Sequence, residues 1–381
     1  MNIVFLQYGD FAEAYHRLGS GGPETYRDQK HSVDFVAALA PEHVVTTISI
    51  CDREHDEMAS DNLRSIGLLE QQAYSTSLHG LLDSLSPDRF ICRTPHKIAL
   101  AWAAKHRVST LPVFADIFKQ HSLRQRWGNS RFGKLLRGSN VPFVSNHSLT
   151  ASQSLQYLGL PLERINPWDW TPIPPIEPAK TASRDPKTLR VFYAGALSDA
   201  KGVGDLLEAC AIAKSQDVRV NITLAGPGDV EHWYQRATQL GVREQLECLG
   251  TIPSSDVLDQ MREHDAVAVP SRHSYAEGLP NTIFEALASR SPLIASDHPA
   301  YIQRLEHGES CLIFKEQDSP QLAECFKTLL HDNATYQRLS QNSASRLAEL
   351  YIGMQWSELV TAYLHDDHAT LQSYTLANLG T

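Results

Sequence analysis

The stretch PSRHSYAEGLPNTIFEALA, residues 270–288, decides how the rest of the chain is read. Glu277 and Glu285 stand in it on either side of Gly278, Leu279 and Pro280. Proline is favoured at the first turn of a helix, where its missing N–H would be unpaired anyway. The stretch therefore predicts a loop, then Pro280, then a helix running to about Ala288. Glu277 falls on the loop, and Glu285 lies about one and a half turns inside the helix. Between them are the free backbone N–H groups of the helix start, those of Asn281 and Thr282. A helix N-terminus favours an anion, because its donors and its dipole point the same way. The order carboxylate, phosphate cradle, carboxylate matches the sugar hydroxyls, diphosphate and ribose diol of a nucleotide-diphosphate sugar.

The chain has 381 residues, enough for two domains of ordinary size. Its hydrophobic fraction of 42% is that of a globular protein with material for two cores. A net charge of -10 argues against general nucleic-acid binding. The six cysteines are scattered without a C-x-x-C pair, which predicts buried free thiols rather than a disulfide framework or a zinc site. MNIVFLQYGD reads as a strand, not a leader, and no apolar run approaches the roughly 18 residues a span needs. The expectation is a cytoplasmic protein, with membrane association at the inner face left open.

Strand-like and helix-like segments alternate, which implies βαβ units and parallel sheets. Strands are predicted at 2–9, 43–50, 89–94, 110–117 and 141–146. A glycine loop with Gly19, Gly21 and Gly22 should lead into a helix over 24–39, and helix is expected near 58–84, 96–106 and 147–158. Residues 167–187 carry six prolines, from Pro167 to Pro186, and read as an extended linker. The alternation restarts at LRVFYAG (189–195) and continues to CLIF (311–314). The expected domains are 1–166 and 188–345.

The 270–288 segment resembles the E-x7-E motif of retaining glycosyltransferases of family 4, which have the two-Rossmann-domain GT-B fold. VFYAGALSDAKGVGDLLEA (191–209), ITLAGPGD (222–229), LGTIPSSDVLDQM (249–261) and AVAVPSRHSYAEG (266–278) follow in that family's order. The specific resemblance covers roughly 190–315; the N-terminal half matches mainly through GSGGPETY (19–26). It implies α/β architecture, with two Rossmann-like domains facing a cleft. The N-terminal domain would take the acceptor and the C-terminal domain the nucleotide sugar. A C-terminal helix, about 350–381, would cross back to the N-terminal domain.

For Glu285 the resemblance implies the ribose diol, against a solvated helix glutamate as the bland reading. A carboxylate can accept from both adjacent hydroxyls. Glu277 would face the donor sugar and its developing positive charge, against a plain loop carboxylate. Lys201, with Gly195 and Gly202, would face the diphosphate leaving group; a loop lysine is otherwise usually solvent-facing. Gly21 and Gly22 would form an approach loop to the anion. Gly226 and Ile252 would surround the nucleoside, and Gly278, Leu279, Asn281 and Thr282 complete the donor set. The family usually has an arginine after its first glycine, where this chain has Ala196, and a histidine where it has Ala115. Arg272 and His273 are the nearest replacements in sequence for the missing cation. Asp116 either binds an acceptor or caps a helix.

Between Ile117 and Leu162 there is no acidic residue, while Lys119, Arg124, Arg126, Arg131, Lys134 and Arg137 all fall there. Beside Trp127, Phe132, Leu135 and Leu136, these suit an anionic membrane surface or a negatively charged acceptor, or else form a solvated basic face. Arg124, Arg131 and Lys134 are the candidate acceptor cations. The resemblance implies a retaining hexosyltransferase acting on a glycan or lipid-linked acceptor, with a UDP-sugar favoured over a GDP-sugar. No Asp-x-Asp metal motif is present, so fixed cations would replace a metal, and no cofactor is expected beyond the nucleotide sugar. A different enzyme on the same fold, an epimerase or phosphorylase, fits less well. Ala196 and Ala115 also suit a non-catalytic sensor or partner subunit.

Overall fold

The computed structural model describes residues 1–120, 122–275 and 279–379. The chain forms two compact α/β units. The first comprises residues 1–24, 28–171 and the segment from Ile352 onward; the second comprises 25–27 and 172–351.

The first unit is built on eight strands: β1 (Asn2–Tyr8), β2 (Val44–Ile50), β3 (His55–Ser60), β4 (Leu63–Leu68), β5 (Arg89–Cys92), β6 (Ser109–Phe114), β7 (Val144–His147) and β8 (Ile165–Trp168). Their order is β3-β4-β2-β1-β5-β6-β7-β8, parallel except for the β3–β4 pair. Strand β1 shows why the sheet is covered on both faces. Side chains alternate across a strand. Ile3 and Phe5 join the core containing Phe11, Val36 and Trp356, whereas Val4 and Leu6 join that of Leu82, Leu100 and Phe132. A fully buried Ile, Leu or Phe is worth roughly 1.5–3 kcal/mol, so a strand apolar at every position is stable only between two helical layers. The C-terminal helix Trp356–Leu364 lies in the first of these layers. Trp356 meets Phe35 edge-on at 5.2 Å between centroids, and the Arg93 guanidinium sits 4.4 Å from the Trp356 ring.

Three sequence readings of this unit are corrected. A helix, Phe11–Gly19, intervenes between β1 and the glycine turn. Asp10 caps it by accepting from the Glu13 amide at 3.0 Å, and Phe11, Ala14 and Leu18 seat it on the sheet. The next helix begins only at Gln29. Residues 55–68 form the β3/β4 hairpin, turned through Asn62 at φ +60°, where helix was expected from about residue 58. Strand β8 reaches into the proline-rich stretch. It lies at the sheet edge, where Pro167 removes no interior hydrogen bond.

The second unit has six strands, all parallel: β9 (Thr188–Ala194), β10 (Arg219–Ala225), β11 (Leu246–Gly250), β12 (Ala266–Val269), β13 (Leu293–Ser296) and β14 (Leu312–Phe314). Their order is β11-β10-β9-β12-β13-β14. Here the strands fall where the sequence predicts them. Two Rossmann-like units are therefore present. In such sheets ligands collect at the carboxyl ends of the strands, where the order reverses direction. In this unit that point lies between β9 and β12.

Candidate functional site

The loops that leave the carboxyl ends of β9 to β12 are tied to one another by their main chains. The Gly226 amide donates to the Gly250 carbonyl at 2.8 Å, and the Gly195 amide to the Ala225 carbonyl at 2.9 Å. The Leu197 amide donates to the Pro227 carbonyl at 2.8 Å, and that of Arg272 to the Ala200 carbonyl at 2.9 Å. The glycines are what lets these loops close on each other. Gly202 has φ +77°, and a Cβ there would strike the Pro270 carbonyl. Gly226 would strike the Gly195 carbonyl in the same way. Ile252, on the loop after β11, is half-buried.

Helix Asn281–Ala288 starts at this edge, with Pro280 in the capping position rather than in the first turn. Pro280 offers no side-chain cap. The first amides of a helix, here those of Asn281 and Thr282, have no acceptor within the helix. Leu279 is buried just before them. Ile283, Phe284, Ala286, Leu287 and Ala288 pack the helix inward, and Glu285 is buried with them at 8% exposure. Burial pushes the Glu285 carboxyl up to about 7, opposed by the nearby positive charge of Arg27. A carboxylate held this far from water gains from hydroxyl donors that restore its lost hydrogen bonds.

Lys201 ends a short 3-10 turn, Asp199–Lys201, that Ser198 caps. Its ammonium lies 4.2 Å from the centroid of the Tyr275 ring, which brings the β9 loop beside the β12 loop. Lys201, Asn281, Thr282 and Glu285 thus belong to loops and a helix that share one edge of the sheet. Glu277 and Gly278 lie outside the described residues.

Neither replacement cation stands unengaged. Arg272 donates from Nε at 3.0 Å and from Nη2 at 2.7 Å to the two oxygens of buried Asp205. The pair raises the Arg272 pKa above its ordinary value, mainly through the hydrogen bond. His273 lies between Asp297, 2.8 Å from Nε2, and Glu316, 3.1 Å from Nδ1. The Glu316 carboxylate also accepts from the His273 amide at 2.5 Å. These partners come from the loops after β13 and β14. His298, buried and stacked on Tyr301, contacts the Tyr275 carbonyl at 3.1 Å through Nε2. Tyr275, Asp205, Asp297, His298 and Glu316 were not foreseen; SDHP (296–299) was the one visible cue, a histidine beside an aspartate at a strand end.

The remaining candidates lie in the first unit. Gly21 and Gly22 close the end of helix Phe11–Gly19: the Gly21 amide donates to Leu18 at 3.1 Å and that of Gly22 to Arg17 at 2.8 Å. They therefore end a helix rather than follow β1. Asp116 follows β6 and is exposed, although crowding of its carboxyl raises its pKa. Ala115 beside it is exposed too. Arg124, Arg131 and Lys134 are exposed on helix Leu123–Leu136.

Known proteins resemble this chain in sequence and in fold. Residues 177–346 match the family model described as glycosyl transferases group 1. The chain is 30% identical over 174 residues to the amylovoran biosynthesis glycosyltransferase AmsK of Erwinia amylovora, spanning 44% of this chain and 42% of that one. It is 27% identical over 223 residues to the putative glycosyltransferase EpsD of Bacillus subtilis, spanning 57% and 56% respectively. The chain thus covers about half the length of these relatives. Among solved structures, Anabaena HepE in complex with UDP and glucose superposes with a TM-score of 0.67 at 18% identity, over 98% of this chain and 100% of that one. Sucrose-phosphate synthase of Thermosynechococcus elongatus gives 0.67 at 14% identity, over 96% and 99%. The fold is that of the GT-B glycosyltransferases. In GT-B terms the second unit is the one that carries the family match.

Proposed function

We propose that the protein is a retaining, metal-independent glycosyltransferase that moves a hexose from a nucleotide-diphosphate sugar to a glycan or lipid-linked acceptor. The observation that carries this reading is the second unit's strand edge. There a helix N-terminus without a side-chain cap, a buried carboxylate and a lysine fall on neighbouring segments of a group 1 glycosyl transferase match. Glu285 accepts from the ribose diol. The amides of Asn281 and Thr282 and the ammonium of Lys201 receive the diphosphate. Gly195, Gly202, Gly226 and Ile252 let main chain surround the nucleotide. Glu277, with Gly278 and Leu279 after it, faces the sugar. As the bond from the anomeric carbon to the diphosphate oxygen breaks, negative charge grows on the leaving group and positive charge on the sugar ring. Fixed donors already in place stabilise that change without reorganising. The acceptor hydroxyl forms the new bond on the face the diphosphate leaves, and its proton departs with the nucleoside diphosphate.

A UDP-sugar is favoured over a GDP-sugar, a preference supported by the neighbour solved with UDP and glucose. Residues 188–345 would bind this donor and residues 1–166 the acceptor, with Asp116, Arg124, Arg131 and Lys134 on the acceptor side. The six cysteines are all free thiols, which suits a reducing, cytoplasmic setting. Incubation with a panel of nucleotide sugars should give slow release of UDP from one UDP-hexose, and UDP should raise the melting temperature more than GDP. Stabilisation by a nucleotide sugar with no release, with or without candidate acceptors, would instead establish a binding protein without catalysis.

A further inference from the structure

Helix Leu123–Leu136 in the first unit carries an outward face that is both apolar and basic. Ser122 and Gln125 close a capping box at its start, so the helix is well defined from its first turn. Phe132 and Leu136 bury its inner side, and Gly133 presses so closely on the turn 155–158 that a Cβ would strike the Leu158 carbonyl. The opposite side exposes Leu123 at 81% and Trp127 at 65%, two of the largest apolar exposures in the described chain. At about 100° per residue, Leu123, Trp127 and Lys134 fall within about 40° of one another, directly opposite Phe132 and Leu136. Arg126 flanks this stripe on one side, and Arg131 and Arg124 flank it on the other, each about 40–60° away. All four cations are exposed. The Arg131 guanidinium lies 4.6 Å from the Trp127 ring, so a cation sits beside the exposed indole. Arg137 is different: it donates to the Leu158 and Gly159 carbonyls at 2.8 Å and belongs to the scaffold.

An exposed apolar pair, Leu123 and Trp127, with Lys134 in line with it and arginines on both flanks, suits a boundary between headgroups and acyl chains. The charge points to the sign of that boundary. No carboxylate occurs between Ile117 and Leu162, in a chain whose net charge is -10. In a chain of negative net charge, a segment with cations and no carboxylates is the part an anionic surface would attract. We propose that helix Leu123–Leu136 docks the protein on an anionic lipid bilayer, with Leu123 and Trp127 entering the interface and Arg124, Arg126, Arg131 and Lys134 lying against the headgroups. The inference is independent of the donor chemistry.

Vesicle flotation of the full chain tests it. Vesicles containing about 30% phosphatidylglycerol should retain the protein at low salt, pure phosphatidylcholine should not, and 0.5 M salt should release it, since screening then acts within a few ångströms. The variant R124Q/R131Q/K134Q should bind at least tenfold more weakly, each cation near such a surface contributing about a fivefold factor. The decisive variant is L123A/W127A. It should lose vesicle binding tenfold or more while retention on heparin, an anion without a hydrocarbon layer, stays unchanged. Unchanged melting temperatures would confirm that these exposed positions do not act through folding. Wild-type protein that ignores the anionic vesicles overturns the proposal. So does an L123A/W127A variant that binds them as wild type does, which would leave a surface for soluble polyanions only.

Discussion

Arg272 grips Asp205 through two parallel hydrogen bonds, 3.0 and 2.7 Å long, across 67 positions of sequence. The pair joins the loop after β12 to the first turn of helix Val203–Ser215, just beyond Lys201. Its arginine stands where sequence alone offers a substitute for the missing diphosphate cation. The geometry gives that arginine a different role, which is to fix the distance between the Lys201 loop and the segment that leads to Glu277. A bidentate guanidinium–carboxylate pair holds angle as well as distance.

Arg272→Ala should therefore act on stability before it acts on binding. It would leave the Asp205 carboxylate, 4% exposed, without its counter-charge. Removing one partner of a buried pair costs about 3–5 kcal/mol; with Arg272 itself 25% exposed, a loss nearer 2–3 kcal/mol is expected. Urea denaturation measures it. Arg272→Lys should recover only part, because an ammonium cannot reproduce the fork. A variant as stable as wild type but unable to bind UDP would make Arg272 a diphosphate ligand after all.

Glu285 predicts a pH dependence whose sign is opposite to that of most carboxylates. Its pKa stands near 7 in the fold against 4.5 in the open chain. Between those values the folded state holds a proton that the unfolded state has released, so stability without ligand falls as pH rises through this window. The full gap corresponds to roughly 3 kcal/mol. Glu285→Gln should flatten the fall, making the variant more stable than wild type at pH 8 and comparable near pH 4.5. Denaturation curves at several pH values check this. The same variant should bind UDP about ten- to a hundredfold more weakly, since bonds to a charged acceptor are lost. Equal affinity would remove the ribose assignment.

Lys201→Ala should lower both UDP affinity and turnover, and turnover more, because leaving-group charge is greater in the transition state. Ala196 leaves no second cation at the start of the same loop, and the partners of Arg272 and His273 occupy those side chains. Calorimetry with UDP and initial rates with the preferred donor separate the two effects. EDTA should leave both unchanged in the wild type; loss of activity restored by magnesium would show that a metal, not Lys201, neutralises the diphosphate.

The second unit is legible in sequence because each of its strands is a short apolar run between glycine or proline signals. LRVFYAG (189–195) and CLIF (311–314), the ends of the predicted alternation, fall on β9 and β14. The first unit is less so. In GDFAEAYHRLGSGG (9–22) three late glycines dominate the eye, yet Asp10 with Glu13 three residues on is the local signal that starts a helix. In residues 55–68 apolar residues lie at spacings a helix also allows. The Asp61–Asn62 turn and the pairing of Ile66 with Ile48 on β2 decide for the hairpin, and the second of these is a tertiary fact. In the candidate site, Glu285 and Lys201 can be nominated from sequence because each has a local signature, a helix that follows Pro280 and a neighbouring glycine. The Arg272–Asp205 pair and the bracket of His273 by Asp297 and Glu316 cannot, because their partners lie on other loops.

Glu277 is the remaining test of catalysis. The chain approaches it from Tyr275, whose carbonyl meets His298 at 3.1 Å, and leaves it at Leu279, which is 3% exposed. The proposal assigns Glu277 to the sugar, and the nucleoside to Glu285 and the loops after β10 and β11. Glu277→Gln should accordingly keep UDP affinity within about twofold and lower turnover by about 10²–10³, the usual cost of removing one group that meets charge developing in the transition state. The acceptor-free release of UDP should fall with it, since that slow reaction passes through the same charge. A Glu277→Gln enzyme with near-wild-type turnover would refute the role. A variant that loses UDP affinity as strongly as turnover would move Glu277 from the sugar to the nucleotide.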